Sequence, residues 1–366
     1  MKFRRLIAVL LAFLLVVSLS SCFADEAPAG GSGGKDVSAK KGDDVIEVGG
    51  LQVHFLELGN KYTGDCTYIR AGEVDILIDA GSKTSSIDTI DKYLSKYVTD
   101  DIIEYVIVTH AHEDHIAGFA TKEGKDSLFD LYEFKTIIDF SQIEKHRAEK
   151  DTYKNYIRER DFEISRGAVH YDAAQCVEMG GVFDLGGGMT LTILDSYFYY
   201  NRGEGENNHS VCTLISDGTN NCLFTGDLEA EGEQKLVEMN ELPQVKLFKA
   251  GHHGSKTSSS DALLSVIKPE IVCVCCCCGS SQYTDTLENQ FPTQKFIDRV
   301  APYTDAVYVT TICQNYKDGQ FSSMNGNIAV IFVDGTVSVR CSANTDKLKD
   351  TKWFKENRNM PEAWKS

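Results

Sequence analysis

The sequence predicts an α/β fold. Three observations carry this: short apolar runs with the composition of buried strands, helical periodicities between those runs, and polar clusters that begin where a run stops. One run, Tyr105-Val106-Ile107-Val108, leads into Thr109-His110-Ala111-His112-Glu113-Asp114-His115. A second, residues 221–224, leads into Thr225-Gly226-Asp227, and a third, residues 245–249, leads into Ala250-Gly251-His252-His253-Gly254-Ser255. Side chains at the carboxyl ends of strands are where α/β layers bind ligands.

The first cluster has its own physical reading. Three imidazoles and a carboxylate within six residues are costly to desolvate unless a cation takes their lone pairs. If the chain stays extended through His112, the period of two puts His110 and His112 on one side, where they can share a metal. Asp114 and His115 then fall where the chain turns into a helix and can face a second ion. A Gly-Asp turn or a His pair is ordinary when it stands alone. The joint occurrence of the three clusters argues for a site.

The chain of 366 residues, 42% of them hydrophobic, suffices for one large domain or two ordinary ones. Residues 1–22 are of another kind. Lys2, Arg4 and Arg5 precede an apolar run over residues 6–17, too short for a comfortable span but suited to a signal peptide. It ends in Leu19-Ser20-Ser21-Cys22, which resembles a bacterial lipobox with Cys22 lipidated; a cleaved secretory signal and a plain anchor are the alternatives. Residues 23–44, rich in Gly, Ala, Ser and Lys, read as a flexible tether. The formal charge of -17 opposes non-specific attraction to phosphate backbones or anionic lipid, although a local basic groove is compatible with it.

The main domain is assigned to residues 45–341. Residues 45–57 and 66–71 alternate as strands, and Val74 to Gly81 is a short strand ending in Asp79, Ala80 and a glycine turn. Ile87, Ile90, Tyr93 and Leu94 space a helix over residues 86–97. Residues 122–166, charged and tyrosine-rich, read as a helical insertion over the site. Strands return over residues 180–185 and 189–194, followed by a loop over residues 197–208 whose Tyr197, Tyr199 and Tyr200 either overhang the site or pack beneath it. A helix is expected over residues 229–240. Five of the twelve cysteines crowd into Ile271–Cys278. On a strand, Cys273, Cys275 and Cys277 face one way and Cys276 and Cys278 the other, so they read as small core residues rather than one thiolate site. Residues 342–366 read as a tail that folds back as a short helix.

The signature His110, His112, Asp114, His115 resembles that of the metallo-β-lactamase superfamily, of the form His-x-His-x-Asp-His. The sequence is more narrowly similar to the hydrolase domain of ComEC-type competence proteins and their free-standing extracellular relatives. The motifs that carry this are Gly64-Asp65, Leu77-Ile78-Asp79-Ala80-Gly81, Asn208-His209-Ser210, Leu223 to Asp227, and Lys249 to Ser258. The resemblance implies an αββα sandwich with a dinuclear metal centre on one edge, holding two divalent ions, zinc or alternatively manganese. Carried onto these positions, His110 and His112 hold one ion, Asp114 and His115 the other, and Asp227 bridges them. His253 completes the second site, with His252 behind it or facing substrate. Asp79 orients the ligands from behind.

Two departures qualify the likeness. Many superfamily members have a further histidine ligand at the position of Glu206; His209 is nearby and is either a ligand or a pocket residue. Where ComEC-type chains tend to carry His-Pro, this chain has Phe291-Pro292. The resemblance also implies the reaction: a hydroxide formed between the ions attacks phosphorus or a carbonyl, with Asp114 orienting it and His252 or His209 stabilising developing charge. The resulting expectation is a lipid-anchored, extracytoplasmic, monomeric phosphoester hydrolase acting on nucleic acid or a choline phosphoester. Lactamase-like hydrolysis and a non-catalytic surface binding lipoprotein are the competing readings, and secretion is the alternative location.

Overall fold

A computed structural model describes residues 39–42, 50–203, 205–333 and 335–365. The signal segment with Cys22, and most of the tether, lie outside these described residues. The strands assemble into two sheets. The first runs in the order Ala39–Lys41, Thr336–Cys341, Ile328–Val333, Leu51–Phe55, Thr67–Ala71, Val74–Ile78, Ile102–Ile107, Glu133–Asp139, Val169–Asp172. The second runs Gln320–Ser323, Val307–Asn315, Ile271–Cys278, Leu247–Lys249, Asn221–Phe224, Thr213–Ser216, Met189–Ile193, Val182–Gly186. Ala39–Lys41, read from sequence as tether, thus adds a parallel strand beside Thr336–Cys341.

The apolar runs explain the layering. Phe55, Ile69 and Val106 of the first sheet share a buried cluster with Phe224, Cys273 and Tyr308 of the second. Phe55 and Phe224 meet across the layers with ring centroids 6.4 Å apart. A second cluster lies between the outer face of the second sheet and the helices Asp261–Ile267 and Gln294–Val300. The tail joins it through Trp353, Phe354 and Trp364, the first two on the helix Lys352–Asn357. Sheet faces sheet, with helices outside, which is the αββα sandwich.

The cysteine strand follows the predicted alternation at four of its five cysteines; Cys277 enters neither cluster, and the register with Val307–Asn315 shifts between Val274 and Cys277. Ile271–Cys278 is buried at every position. Cys273 and Cys275 enter the intersheet cluster, whereas Cys276 and Cys278 enter the outer one. All are free thiols, and burial pushes the Cys276 and Cys278 thiols well up, keeping them neutral.

The expected insertion over residues 122–166 is corrected by the structure. Glu133–Asp139 is an internal strand, parallel to Ile102–Ile107 on one side and Val169–Asp172 on the other. The helix Asp151–Arg166 packs on it: Tyr156 donates to Asp139 Oδ2 at 2.8 Å, and Glu163 accepts the Phe134 N–H at 2.9 Å. Most of the segment is therefore frame. Its polarity misleads because Glu133 and Lys135 are exposed while Phe134, Ile137 and Ile138 are buried.

One buried imidazole gives the frame a pH dependence. His54 on Leu51–Phe55 is fully buried among Tyr68, Tyr93 and Tyr97 and contacts the Tyr93 hydroxyl at 2.9 Å. Burial first, then the charge of Arg70, lowers its pKa to about 3. The unfolded chain takes up this proton near pH 6.5 and the folded chain only near 3, so stability falls as pH drops through that window. Asp75, raised from 3.8 to about 6 mainly by burial, acts in the opposite sense over a narrower range. The larger His54 shift wins. We expect His54→Phe to flatten the loss of urea stability between about pH 6.5 and 4; an unchanged slope would assign that loss elsewhere.

Candidate metal centre

The centre is built on strand ends. Val74–Ile78 and Ile102–Ile107 are parallel neighbours, so Asp79 and Thr109 emerge side by side. The Asp79 carboxylate accepts the Thr109 N–H and hydroxyl, both at 2.8 Å, and the Nδ1–H of His115 at 2.7 Å. Asp79 adopts a φ of 60°, unusual for a side-chain-bearing residue, and shares this left-handed backbone with His252 at 47° and His253 at 56°. Strained backbone of this kind persists where the surroundings over-determine it.

From the second sheet, Asn221–Phe224 delivers Asp227 through Gly226. A Cβ on Gly226 would lie 2.8 Å from Ser210 Oγ and 2.9 Å from Thr109 Cβ, and its φ is +52°, so glycine is required where the two sheets' loops touch. The Asp227 N–H donates to Ser210 Oγ at 3.0 Å, aiming the carboxylate inward.

Asp227 Oδ2 is the hub. It lies 3.2 Å from His115 Nε2, 3.3 Å from His253 Nε2, 3.8 Å from His252 Nε2 and 3.9 Å from His110 Nε2. On one side, His110 Nε2 and His112 Nδ1 approach to 2.9 Å. On the other, Asp114 Oδ2 is 3.5 Å from His253 Nε2. The sequence-derived candidates His110, His112, Asp114, His115, Asp227, His252 and His253 are thus brought together, with Asp79 behind His115. The reason His112 shares a side with His110 is local: the strand stops at Ile107, yet His112 keeps extended backbone as the residue before the short helix Glu113–Ile116.

Hydrogen bonding orients the rings. His115 spends Nδ1–H on Asp79, and His253 Nδ1 faces the Cys275 carbonyl at 3.0 Å and Asp65 Oδ1 at 3.1 Å, both acceptors. Thr109 Oγ, already donating to Asp79, accepts from His110 Nδ1 at 3.1 Å. With Nδ1 so engaged, Nε2 of His115 and of His253 is the ring atom that faces the Asp227 carboxylate, at 3.2 and 3.3 Å. These facing atoms need a proton or a cation between them: the buried Nε2 atoms of His115 and His253 and Oδ1 of Asp227 have no hydrogen-bond partner among the described residues. Ligand atoms of Asp65, His115, Asp227 and His253 all lie within 4.8 Å of one another. Such a nitrogen and carboxylate donor set fits a divalent metal such as zinc or manganese.

The electrostatics express the same demand for positive charge. Burial disfavours the His115 and His253 imidazolium ions, but Asp227 with Asp79 or Asp65 outweighs it and holds both well above the ordinary value. His110, buried and beside two other imidazoles, is held well below. Burial raises the Asp227 carboxyl, but the surrounding histidines drive it well below the carboxylate range.

Three residues escape sequence reasoning as site groups. Asp65 stands in the sequence only within a motif; it contacts His253 and pairs with Lys249, whose Nζ is also 3.9 Å from Asp227 Oδ1. A lysine closing a buried strand, Leu-Phe-Lys, is the signal that points to a buried partner. Tyr283, whose hydroxyl donates to Asp114 Oδ2 at 2.5 Å, sits in a loop with no periodic signal.

Glu206 and His209 resolve into different roles. The buried Glu206 carboxylate accepts the Ala111 N–H at 3.3 Å and the Glu144 N–H at 2.9 Å, bracing the segment between His110 and His112. His209 is buried with its Nδ1 3.7 Å from Glu206 Oε2, and neither ring nitrogen has a hydrogen-bond partner among the described residues. Its ring lines a cavity of about 400 Å³ with Ile143, Lys145 and Arg202 among the wall residues. Tyr199 packs below: it is buried, and its hydroxyl accepts the Cys212 N–H at 2.8 Å, whereas Tyr197 and Tyr200 are exposed.

Residues 59–121 and 146–278 match the metallo-beta-lactamase superfamily, and the chain belongs to it. Asp65, His115, Asp227 and His253 give this member of the superfamily a group that could hold a metal ion. Among known proteins it is 27% identical over 263 residues to recombination protein 2 of Haemophilus influenzae, covering 71% of this chain and 28% of that protein. It is 26% identical over 180 residues to ComE operon protein 3 of Bacillus subtilis, covering 47% of this chain and 20% of that one. A shorter likeness, 30% over 78 residues, joins it to exodeoxyribonuclease YycJ of Bacillus anthracis, covering 21% and 29%. The chain spans less than a third of the length of each of these relatives.

Proposed function

We propose that the protein is a dinuclear phosphodiesterase acting on nucleic acid, anchored through Cys22 to the outer face of the cell membrane. The observation that carries the reading is the Asp227 hub, with two histidines on one flank and Asp114, His115 and His253 on the other. His110 and His112 would hold one ion, Asp114, His115 and His253 the second, and Asp227 both. When bound, the ions supply Lewis acidity and lower the pKa of water. Asp79 and Asp65 fix the Nδ1 protons of His115 and His253, so that the ligand faces stay turned inward. His252, one-fifth exposed, is held by Thr257 Oγ at 2.9 Å with Nε2 towards Asp227, where it can stabilise developing charge beside substrate.

Support for phosphoester over amide comes from the nucleic-acid-related names of the relatives, recombination protein 2 and exodeoxyribonuclease YycJ. Support for anchoring is the basic and apolar leader ending at Cys22; among the described residues no helix is long and apolar enough to cross a membrane. The test is turnover of bis-p-nitrophenyl phosphate and of a DNA oligonucleotide by the full chain. We expect turnover of both, lost to a chelator and restored by zinc or manganese. Hydrolysis of lactams or choline phosphoesters alone would contradict the substrate assignment.

A further inference from the structure

Tyr283 is far more exposed than the groups converging on Asp227. It is 54% exposed, on the segment between Ile271–Cys278 and Gln294–Val300, yet its hydroxyl reaches the Asp114 carboxylate. His110, His115, Asp227 and His253 are all buried. The phenol therefore stands between the cluster and solvent. Phe291 sets its position: the Phe291 ring centroid is 5.7 Å from that of Tyr283, 5.7 Å from His252 and 5.9 Å from His253. An aromatic wall with one hydroxyl at its inner edge thus borders the centre.

A tyrosine hydroxyl in this place has two uses. It can brace Asp114, or it can offer a hydrogen bond to whatever binds at the centre. Asp114 Oδ2 also faces His253 Nε2 at 3.5 Å, in the position assigned above to a ligand. A carboxylate oxygen that gives its lone pairs to a cation is a weaker hydrogen-bond acceptor, which leaves the phenol proton available on the open side. Donors placed beside the position where charge develops are worth most in a largely buried site.

We infer that the Tyr283 hydroxyl contacts the substrate, donating a hydrogen bond to a non-bridging phosphoryl oxygen of a phosphoester bound at the centre. The inference rests on the phosphoester reading above. It makes Tyr283 a catalytic residue that stabilises charge on the phosphoryl group, without itself losing a proton.

The probe is inorganic phosphate, titrated calorimetrically into the full zinc-loaded chain and into Tyr283→Phe, with zinc affinity measured separately by competition with a chromophoric chelator. The expected result is phosphate binding weakened about tenfold in the variant and kcat/KM on bis-p-nitrophenyl phosphate lowered by at least about tenfold, with zinc affinity within about twofold. Weaker zinc binding with unaltered phosphate affinity would make Tyr283 a brace for Asp114 and overturn the inference. So would a wild-type chain that does not bind phosphate, or equal phosphate affinity in the two proteins. Weakened phosphate binding in a chain that hydrolyses no phosphodiester would uphold the Tyr283 contact and reject the phosphodiesterase reading. Because the side chain is exposed, removal of its hydroxyl leaves the core untouched.

Discussion

Asp227→Asn is expected to lower metal-dependent turnover on the order of a thousandfold while leaving a folded protein. The substitution is nearly isosteric, so the Ser210 contact to the backbone N–H of residue 227 survives. What goes is the negative oxygen that lies within 3.9 Å of four imidazole nitrogens. An amide at that place offers one neutral acceptor to a pair of cations and turns a donor NH2 towards an imidazole or a cation. Both flanks of the centre depend on this one atom, so metal content and turnover should fall together. Retained turnover in Asp227→Asn would mean that the bridge lies elsewhere.

The second large effect concerns stability. Lys249 and Asp65 are each nearly fully buried and form an ion pair, with Lys249 Nζ also close to Asp227. Burial disfavours the Lys249 ammonium, but the two carboxylates more than compensate and keep it charged. Lys249→Met fills similar space and leaves Asp65 without its cation. Removing one partner of a buried pair costs about 3–5 kcal/mol, because a charge is stranded in low dielectric. We expect a fall of that size in urea unfolding, largely recovered in Lys249→Met/Asp65→Asn, where no charge is stranded. Equal stability of the single variant and wild type would show that water or His253 already compensates Asp65.

The pairing of Lys249 with Asp65 also shows where sequence reasoning stops. His110, His112, Asp114 and His115 are legible because three imidazoles and a carboxylate so close together are rarely tolerated without a cation to bind. Asp227 and His253 are legible because each follows a short apolar strand, and α/β layers gather such strand ends at one edge. Asp65 and Lys249 lie 184 residues apart and meet only because Leu247–Lys249 and the loop before Thr67–Ala71 end at the same edge, in different sheets. No local pattern encodes that meeting. Tyr283 is hidden for a related reason, since its loop is placed by tertiary contacts with Phe291 rather than by periodicity.

The fold shows the same division. Ile271–Cys278 is readable because alternation of a β-branched and thiol-rich run has one buried solution. Glu133–Asp139 is not, because charged residues at its exposed positions imitate a surface helix. Glu206 adds a subtler case. Superfamily resemblance marks its position for a histidine ligand, but here a carboxylate takes backbone N–H groups from Ala111 and Glu144. It supports the histidine segment from behind.

The proposed hydrolytic function requires a two-ion centre gathered on Asp227. Its presence is decided by the metal content of the purified full-length chain, measured by mass spectrometry after removal of loosely held ions. The prediction is about two equivalents of zinc or manganese per chain, falling in His112→Ala and Asp227→Asn without loss of the folded state. A folded wild-type chain that binds no divalent metal, even when zinc and manganese are supplied, would contradict it.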